Sequence, residues 1–465
     1  MAWLSLIPPL ITIVLTFKTK RLVPALFLGV VAGSLISSKS ILGGIISIGS
    51  YLVDAVADKD SAYTLGFLIA FSALADVIEM AGGIAGFSEK ISKWVKNERH
   101  VSLWTWLLSV FTFFDSSFHT IAVGTMLSPI MNKVKGSKEK FAFLLSVTSL
   151  QLILLIPIAT AYLGYMVALV TNNIKGRGIE QSAYTIVAQS VLWNFFSWVM
   201  ILIAIGVSIF GLGFGRIRLG KISEGEGLTQ AHIDRDEASG KPIQEYPKKS
   251  MNLLVPVIFL LICTIFFFWW TGRKKSTNFF GALSEANFNA SIFAGIILTL
   301  IITSIFFMLQ KISLAEIEAH IIIGAEKVLS LVLILSLSWA LTIVTEKLGF
   351  NDLISDEIIK SIPAILIPPA IFLFAAVISY TIGSSWATWA LVMPTAVTFA
   401  VSSGVNISIM IGTVWAGGAV ADVISPLSAQ MAGISFGEHL STSFPYVIGG
   451  VLISAAGYLL VGVLF

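Results

Sequence analysis

Stretch after stretch of this sequence stays apolar for about the 20 residues that a helix needs to cross a bilayer. These runs lie at residues 2–17, 22–38, 63–84, 141–171, 184–214, 251–271, 291–309, 321–345, 407–431 and 445–465. Two more, 101–131 and 362–403, are interrupted by polar, Gly and Pro residues, and 41–57 and 310–320 read as amphipathic pieces. The chain has 465 residues, of which 56% are hydrophobic and only 12% charged, against roughly 25% charged in a typical globular domain. Its mean hydropathy is +0.91. The expectation is an all-α integral membrane protein of the cell membrane with about ten transmembrane helices plus two re-entrant hairpins. The opening MAWLSLIPPLITIVLTF lacks a basic start and precedes Lys18, Lys20 and Arg21, so it reads as a first span and not a signal peptide. The single cysteine, Cys263, excludes an internal disulfide.

Charge orients these segments. Basic loops at 18–21, 90–99 and 133–140, and the polar stretch 216–250, are expected on the cytoplasmic side. With 90–99 and 133–140 on one side, region 101–131 must cross twice or return. It is short for two spans, so a hairpin is predicted. Continuing the bookkeeping gives a second half that repeats the first upside down: span, span, amphipathic piece, span, hairpin, span, span. Arg273, Lys274 and Lys275 then fall outside, against the usual bias. The division is residues 1–215 as the first repeat, 216–250 as a cytoplasmic linker and 251–465 as the second, inverted repeat. Echoes agree: SALADVIEMAGGIAGFSEKI (72–91) resembles SWALTIVTEKLGFNDLISDEI (338–358), pairing Glu79 with Glu346. Ser116-Ser117-Phe118-His119-Thr120 shares Ser-Ser-aromatic-x-Thr with Ser384-Ser385-Trp386-Ala387-Thr388, and each is followed by a proline, Pro129 or Pro394. Inverted repeats with interrupted helices recur in secondary transporters, with the site where the repeats meet.

The interruptions are where chemistry is expected. Broken helices free backbone N–H and C=O groups, which survive in a membrane only around an enclosed cavity. A carboxylate there costs about 2.5–3.5 kcal/mol on insertion scales and marks a site or pathway. In the first hairpin Asp115 supplies charge, Ser116, Ser117 and Thr120 supply hydroxyls, and His119 an imidazole. This set suits a hard cation, a proton or the amine of a small zwitterion. The second hairpin offers Gly383, Ser384, Ser385 and Thr388 without charge. The span after each hairpin is interrupted as well, with Thr148 and Gln151 in one and Asp422, Ser425 and Ser428 in the other. Asp115 and Asp422 are expected to converge and to be the ligands of a transported cation. His100, His232, His320 and His439 show no metal-ligand spacing, and no GxxxxGK[ST] loop points to ATP. No cofactor and no enzymatic activity are expected.

The same stretches resemble the NhaC-type sodium/proton antiporter family. LIPPLITIVLTFKTKRLVPALFLGVVAG (6–33) is similar to its opening Pro-Pro segment, and FFDSSFHTIAVGTMLSPIMNKVKGSKEKFAFLLSVTS (113–149) to its first acidic region. GSSWATWALVMP (383–394) and GGAVADVISPLS…FGEHLSTSFPY (417–446) are similar to its later motifs. Where the family pattern has a second acid and an Asn, this chain has Ser116 and His119. Its Asp-Ser-Thr is Ser146-Val147-Thr148, and a later Asp is Ala429. Asp115 and Asp422 are kept. The resemblance implies alternating access and exchange of protons for sodium or a similar cation. The alternative is an ion-coupled transporter of a small organic acid or amino acid, for which hydroxyls and half-helix ends suffice. A channel is the third reading. The expected partners are the transported solute and lipid, with a homodimer open and nucleic acid excluded.

Overall fold

The computed structural model describes residues 2–464 apart from 20, 39, 84–85, 87–94, 96, 111, 114, 158–159, 212, 214–216, 218–248, 275–277 and 354–361. Nearly all of the expected linker 216–250, most of the basic loop 90–99 and the ends of the 72–91 and 338–358 echoes therefore lie outside the described residues. The described residues form an all-α protein. Among the described residues seven helices are long and apolar enough to cross a membrane, or eight if the bent pair Ala183–Trp193 and Phe195–Ile209 is one span.

The first half opens with α1 (Ile7–Thr19), α2 (Leu22–Ser38), α3 (Ile41–Ala57) and α4 (Lys59–Met80). A two-armed hairpin follows, α5 (Glu98–Ser109) and α6 (Ser116–Lys133), then the broken α7 (Lys138–Ser146) and α8 (Ala161–Ile174), then α9 (Ala183–Ser190) and α10 (Phe195–Ile209). The second half runs α11 (Met251–Gly272), α12 (Phe288–Leu309), α13 (Leu314–Lys327) and α14 (Leu329–Lys347). It ends with the hairpin α15 (Ile367–Ile382) and α16 (Ser385–Ser403), the broken α17 (Ile407–Gly418) and α18 (Pro426–Ala432), and α19 (Phe436–Leu464). The packing is reciprocal. Helix α2 lies on α14 as α12 lies on α4, α3 on α14 as α13 on α4, and α6 on α18 as α16 on α8. The predicted order of elements is present in both halves.

Each hairpin turns between two helical arms, α5 (12 residues) with α6 (18) and α15 (16) with α16 (19). In α16, Pro394 cannot donate to the carbonyl four residues back, Ala390, and the Ser338 hydroxyl of α14 donates to that oxygen instead, at 2.7 Å. Gly383, at φ 73°, ends α15 in the left-handed conformation that favours glycine.

Several boundaries differ from the sequence reading: the last span, expected at 445–465, already starts at Phe436, and two further differences have a local cause. The amphipathic piece expected at 310–320 runs on to Lys327, and the following span starts at Leu329, not 321. Ser313 caps α13, whose Glu316, Glu318, His320 and Glu326 keep it amphipathic until the turn at Val328. The run 184–214 is not one straight span: it bends by 44° at Asn194. There the Asn194 side chain accepts from Ser197 N and restarts the helix.

Candidate functional site

The hairpin tip of the first half is organised by a helix cap. Asp115 is the N-cap of α6, and its Oδ1 accepts from Phe118 N at 2.7 Å, with the Ser117 N–H also directed at the carboxylate. A negative charge at a helix N-terminus is favoured by the helix dipole. The second hairpin uses Ser384 at the same place, accepting from Ala387 N at 3.3 Å. The cap register therefore equates Asp115 with Ser384, one residue off the sequence match of Ser116 with Ser384.

Both broken spans open beside these tips. The first passes from α7 into a π-helical turn (Val147–Gln151) and a 3-10 turn (Ile153–Leu155) before restarting at α8, capped by Thr160. The second passes from α17 into a 3-10 turn, Ala421–Ile424, which carries Asp422. Gln151 ties the breaks together: its amide donates to Ala419 O at 2.8 Å and accepts from Ser197 Oγ at 2.7 Å. Ser379 of α15 donates to Gly418 O at 2.6 Å and accepts from Ala421 N at 3.1 Å, holding the other side of the second break. Gly418 is required there, since a Cβ would stand 2.0 Å from the Trp389 indole nitrogen.

Tyr162, at the start of α8, joins the parts. Its hydroxyl hydrogen-bonds Ser116 Oγ of the first hairpin. Its ring stacks on Trp386 of the second hairpin, with centroids 4.4 Å apart. It lies within electrostatic reach of both Asp115 and Asp422. Ser385, beside Trp386, hydrogen-bonds Asp422. Asp422 Oδ2 and Ser428 Oγ are buried with no protein partner. The arrangement brings two carboxylates, one from each half, around one tyrosine, with oxygen atoms left to accept.

The other expected residues stand further back. Thr120 and Thr388 donate to carbonyls of their own helices, Ser116 O and Ser384 O. His119 is fully buried between Thr112 (Nδ1, 2.7 Å) and Thr148 (Nε2, 3.0 Å), linking the end of α5, α6 and the π-helical turn. Ser117 and Gly383 are exposed, and Ser425 is half-buried at the start of α18. Tyr162 and Trp386 carry no role in the sequence reading. Their only signal is position, an aromatic ring just past a break and another just past a cap. A cleft lies beside α16, lined by Arg177, Ser338, Glu346 and Thr398, and neither carboxylate lines it. Among the described residues no cluster of three His, Cys, Asp or Glu could hold a metal ion as a cage.

Helical halves packed reciprocally around broken helices define a membrane transporter fold, and comparison with known proteins agrees. The family model described as Na+/H+ antiporter family matches residues 152–463, and the chain belongs to that family. An uncharacterized protein of Haemophilus influenzae is 24% identical over 485 residues, covering 98% of this chain and 90% of that protein. Among solved structures, the Alcanivorax borkumensis YdaH transporter superposes with a TM-score of 0.63 at 11% identity, over 90% of this chain and 88% of that one. Neisseria gonorrhoeae MtrF, described within a class of antimetabolite efflux pumps, gives 0.51 at 14% identity, over 90% and 84%. At those identities the two structures speak for the fold.

Proposed function

We propose that this chain is a secondary antiporter that exchanges protons for sodium or a similar monovalent cation by alternating access. The observation that carries the reading is the convergence of Asp115 and Asp422 on Tyr162, with Asp422 Oδ2 and Ser428 Oγ unpartnered. A carboxylate oxygen without a donor is an acceptor in waiting, and a proton or a hard cation is what such an atom takes. In this reading Asp115 and Asp422 hold cation and proton in turn. Ser116, Ser385, Ser428 and the backbone oxygens of the breaks complete the shell, and His119 with Thr148 and Gln151 holds its framework. The halves are residues 1–215 and 251–465 in opposite orientation, joined on the cytoplasmic side of the cell membrane by 216–250. Family membership supports the cation, since the family is described by sodium/proton exchange.

The test is flux in proteoliposomes. Adding sodium to vesicles holding a pH gradient collapses the gradient with the wild-type protein, and fails to do so with Asp115→Asn or Asp422→Asn. Proton flux that ignores sodium and answers to a small organic acid would overturn the cation reading in favour of an organic solute.

A further inference from the structure

Helix α16 is held at two levels on each of two neighbours. On α8, the Tyr165 hydroxyl donates to Trp386 O at 2.8 Å, and Arg177, on the loop after α8, donates through Nη1 to Thr398 Oγ1 at 2.9 Å. Both bonds join residues 221 apart, so the two helices run side by side in one parallel register. On α14, the Ser338 hydroxyl donates to Ala390 O, and Glu346 pairs with Nη2 of the same Arg177. The 52 residues between Ser338 and Ala390 are also the interval from Glu346 to Thr398, so the levels on α14 match those on α8. Arg177 therefore closes the second level on both sides at once, and its side chain is only 10% exposed.

The cleft beside α16 lies between the two levels on α14, with Thr342, Thr345 and Thr395 in its walls. Thr342 spends its hydroxyl on its own helix, at Ser338 O, and Thr345 Oγ1 is buried with no protein partner. The seam between α14 and α16 is thus bonded at its ends and sparsely between them. The two sides of the seam also differ in what they carry. Helix α8 holds Tyr162, and α16 holds Ser385 and Trp386, whereas α14 holds none of the site residues. The pairs Lys140–Glu98 and Lys175–Asp58 stay within the first half. Arg177–Glu346 crosses from one half to the other, and Glu346 is exposed, so water can take over its charge when the pair opens.

We propose that Arg177 is the releasable clamp of this seam and a positioning residue for exchange. With its pair to Glu346 closed, α8 and α16 are held against α14. When the pair opens, Arg177 stays with Thr398, the α8–α16 unit parts from α14, and the cleft widens along α16 toward Trp389 and the Tyr162 site. Packed helices move between discrete arrangements, and the clamp selects the closed one. The inference rests on the alternating-access reading.

The test is alkylation of a cysteine placed in the cleft. Cys263 is the single cysteine and is buried, so C263A/T345C carries one thiol, on a cleft wall. The full chain in proteoliposomes is treated with N-ethylmaleimide, which crosses the bilayer. With the clamp intact, labelling is slow. Adding R177Q or E346Q raises the rate about tenfold, equal to about 1.4 kcal/mol in the local opening equilibrium. R177K, which keeps a charge facing Glu346, labels more slowly than R177Q, a rescue that loss of packing alone would not give. An unchanged rate in R177Q or E346Q, or equal rates in R177K and R177Q, overturns the proposal. If R177Q does not fold, E346Q, changed at an exposed residue, is read in the same way. Sodium-driven exchange accelerates labelling of C263A/T345C, and labelling indifferent to turnover also overturns the proposal. If that protein exchanges no ion, the antiport reading falls, and the labelling rates of the variants alone decide the clamp.

Discussion

The two hairpins are built from one device and differ at its capping residue. Each turns between short helical arms, each restarts with a side-chain cap bonded to the N–H three residues on, and each carries a threonine that donates to the carbonyl four residues back. In the first the capping residue is Asp115, and in the second it is Ser384. Serine and aspartate cap a helix about equally well, so the fold does not need the carboxylate. What the first hairpin has in excess is charge, held at a helix N-terminus in a membrane segment. The second hairpin contributes an aromatic wall, Trp386, and a hydroxyl, Ser385, to the carboxylate of the neighbouring break. Scaffold and chemistry separate at this pair of positions.

Breaking the comparison at its charges has the largest expected effect. Asp422→Asn keeps an oxygen for Ser385 to donate to but removes the charge, and it abolishes sodium-driven proton flux in proteoliposomes. Next comes the bridge. Tyr162→Phe keeps the stack on Trp386 and deletes the hydroxyl bonded to Ser116, so the maximal exchange rate falls about tenfold, the cost of about 1.4 kcal/mol in the rate-limiting barrier, while the folded yield is kept.

A third variant probes how the second hairpin is held. Ser338→Ala leaves the Ala390 carbonyl, freed by Pro394, without its donor. A buried unsatisfied acceptor costs about 1–3 kcal/mol, so thermal unfolding shifts to lower temperature. The smallest effect is at the N-terminal end of α4. The Lys175 ammonium bonded to Asp58 holds that carboxyl below the usual range. Its contribution to stability is therefore present above the unfolded-state pKa and is lost as pH falls through the lower folded value. Because the pair is largely exposed, an acid titration of the unfolding midpoint, wild type against Lys175→Gln, differs by less than about 1 kcal/mol.

Much of this was legible in the sequence because a membrane makes polar residues conspicuous. Asp115 and Asp422 stand out in apolar runs, and Pro157 and the 417–418 glycine pair announce interruptions, whereas Pro129 and Pro394 lie inside the unbroken α6 and α16. The bend at Asn194 gave no such signal, since neither Pro nor Gly marks it and a single Asn ahead of Phe-Phe-Ser reads as span. The start of α14 was misplaced because Ile321, Ile322 and Ile323 extend the apolar run back into an amphipathic helix. Tyr162 was invisible for another reason. An aromatic residue at the start of a span is ordinary, and only the three-dimensional meeting of Ser116, Trp386 and both carboxylates distinguishes it. The offset of one residue between the hairpins was hidden by the matching Ser-Ser-aromatic-x-Thr strings, which align the letters and not the caps.

The comparison of the two caps also gives the most direct test of the central claim, that Asp115 serves transport through its charge and not through the fold. Asp115→Ser places in the first hairpin the residue that the second hairpin already uses. Sodium-driven proton flux, measured in proteoliposomes beside the thermal-unfolding midpoint, is predicted to vanish while the midpoint stays close to that of the wild type. Flux retained at the wild-type rate would contradict the account.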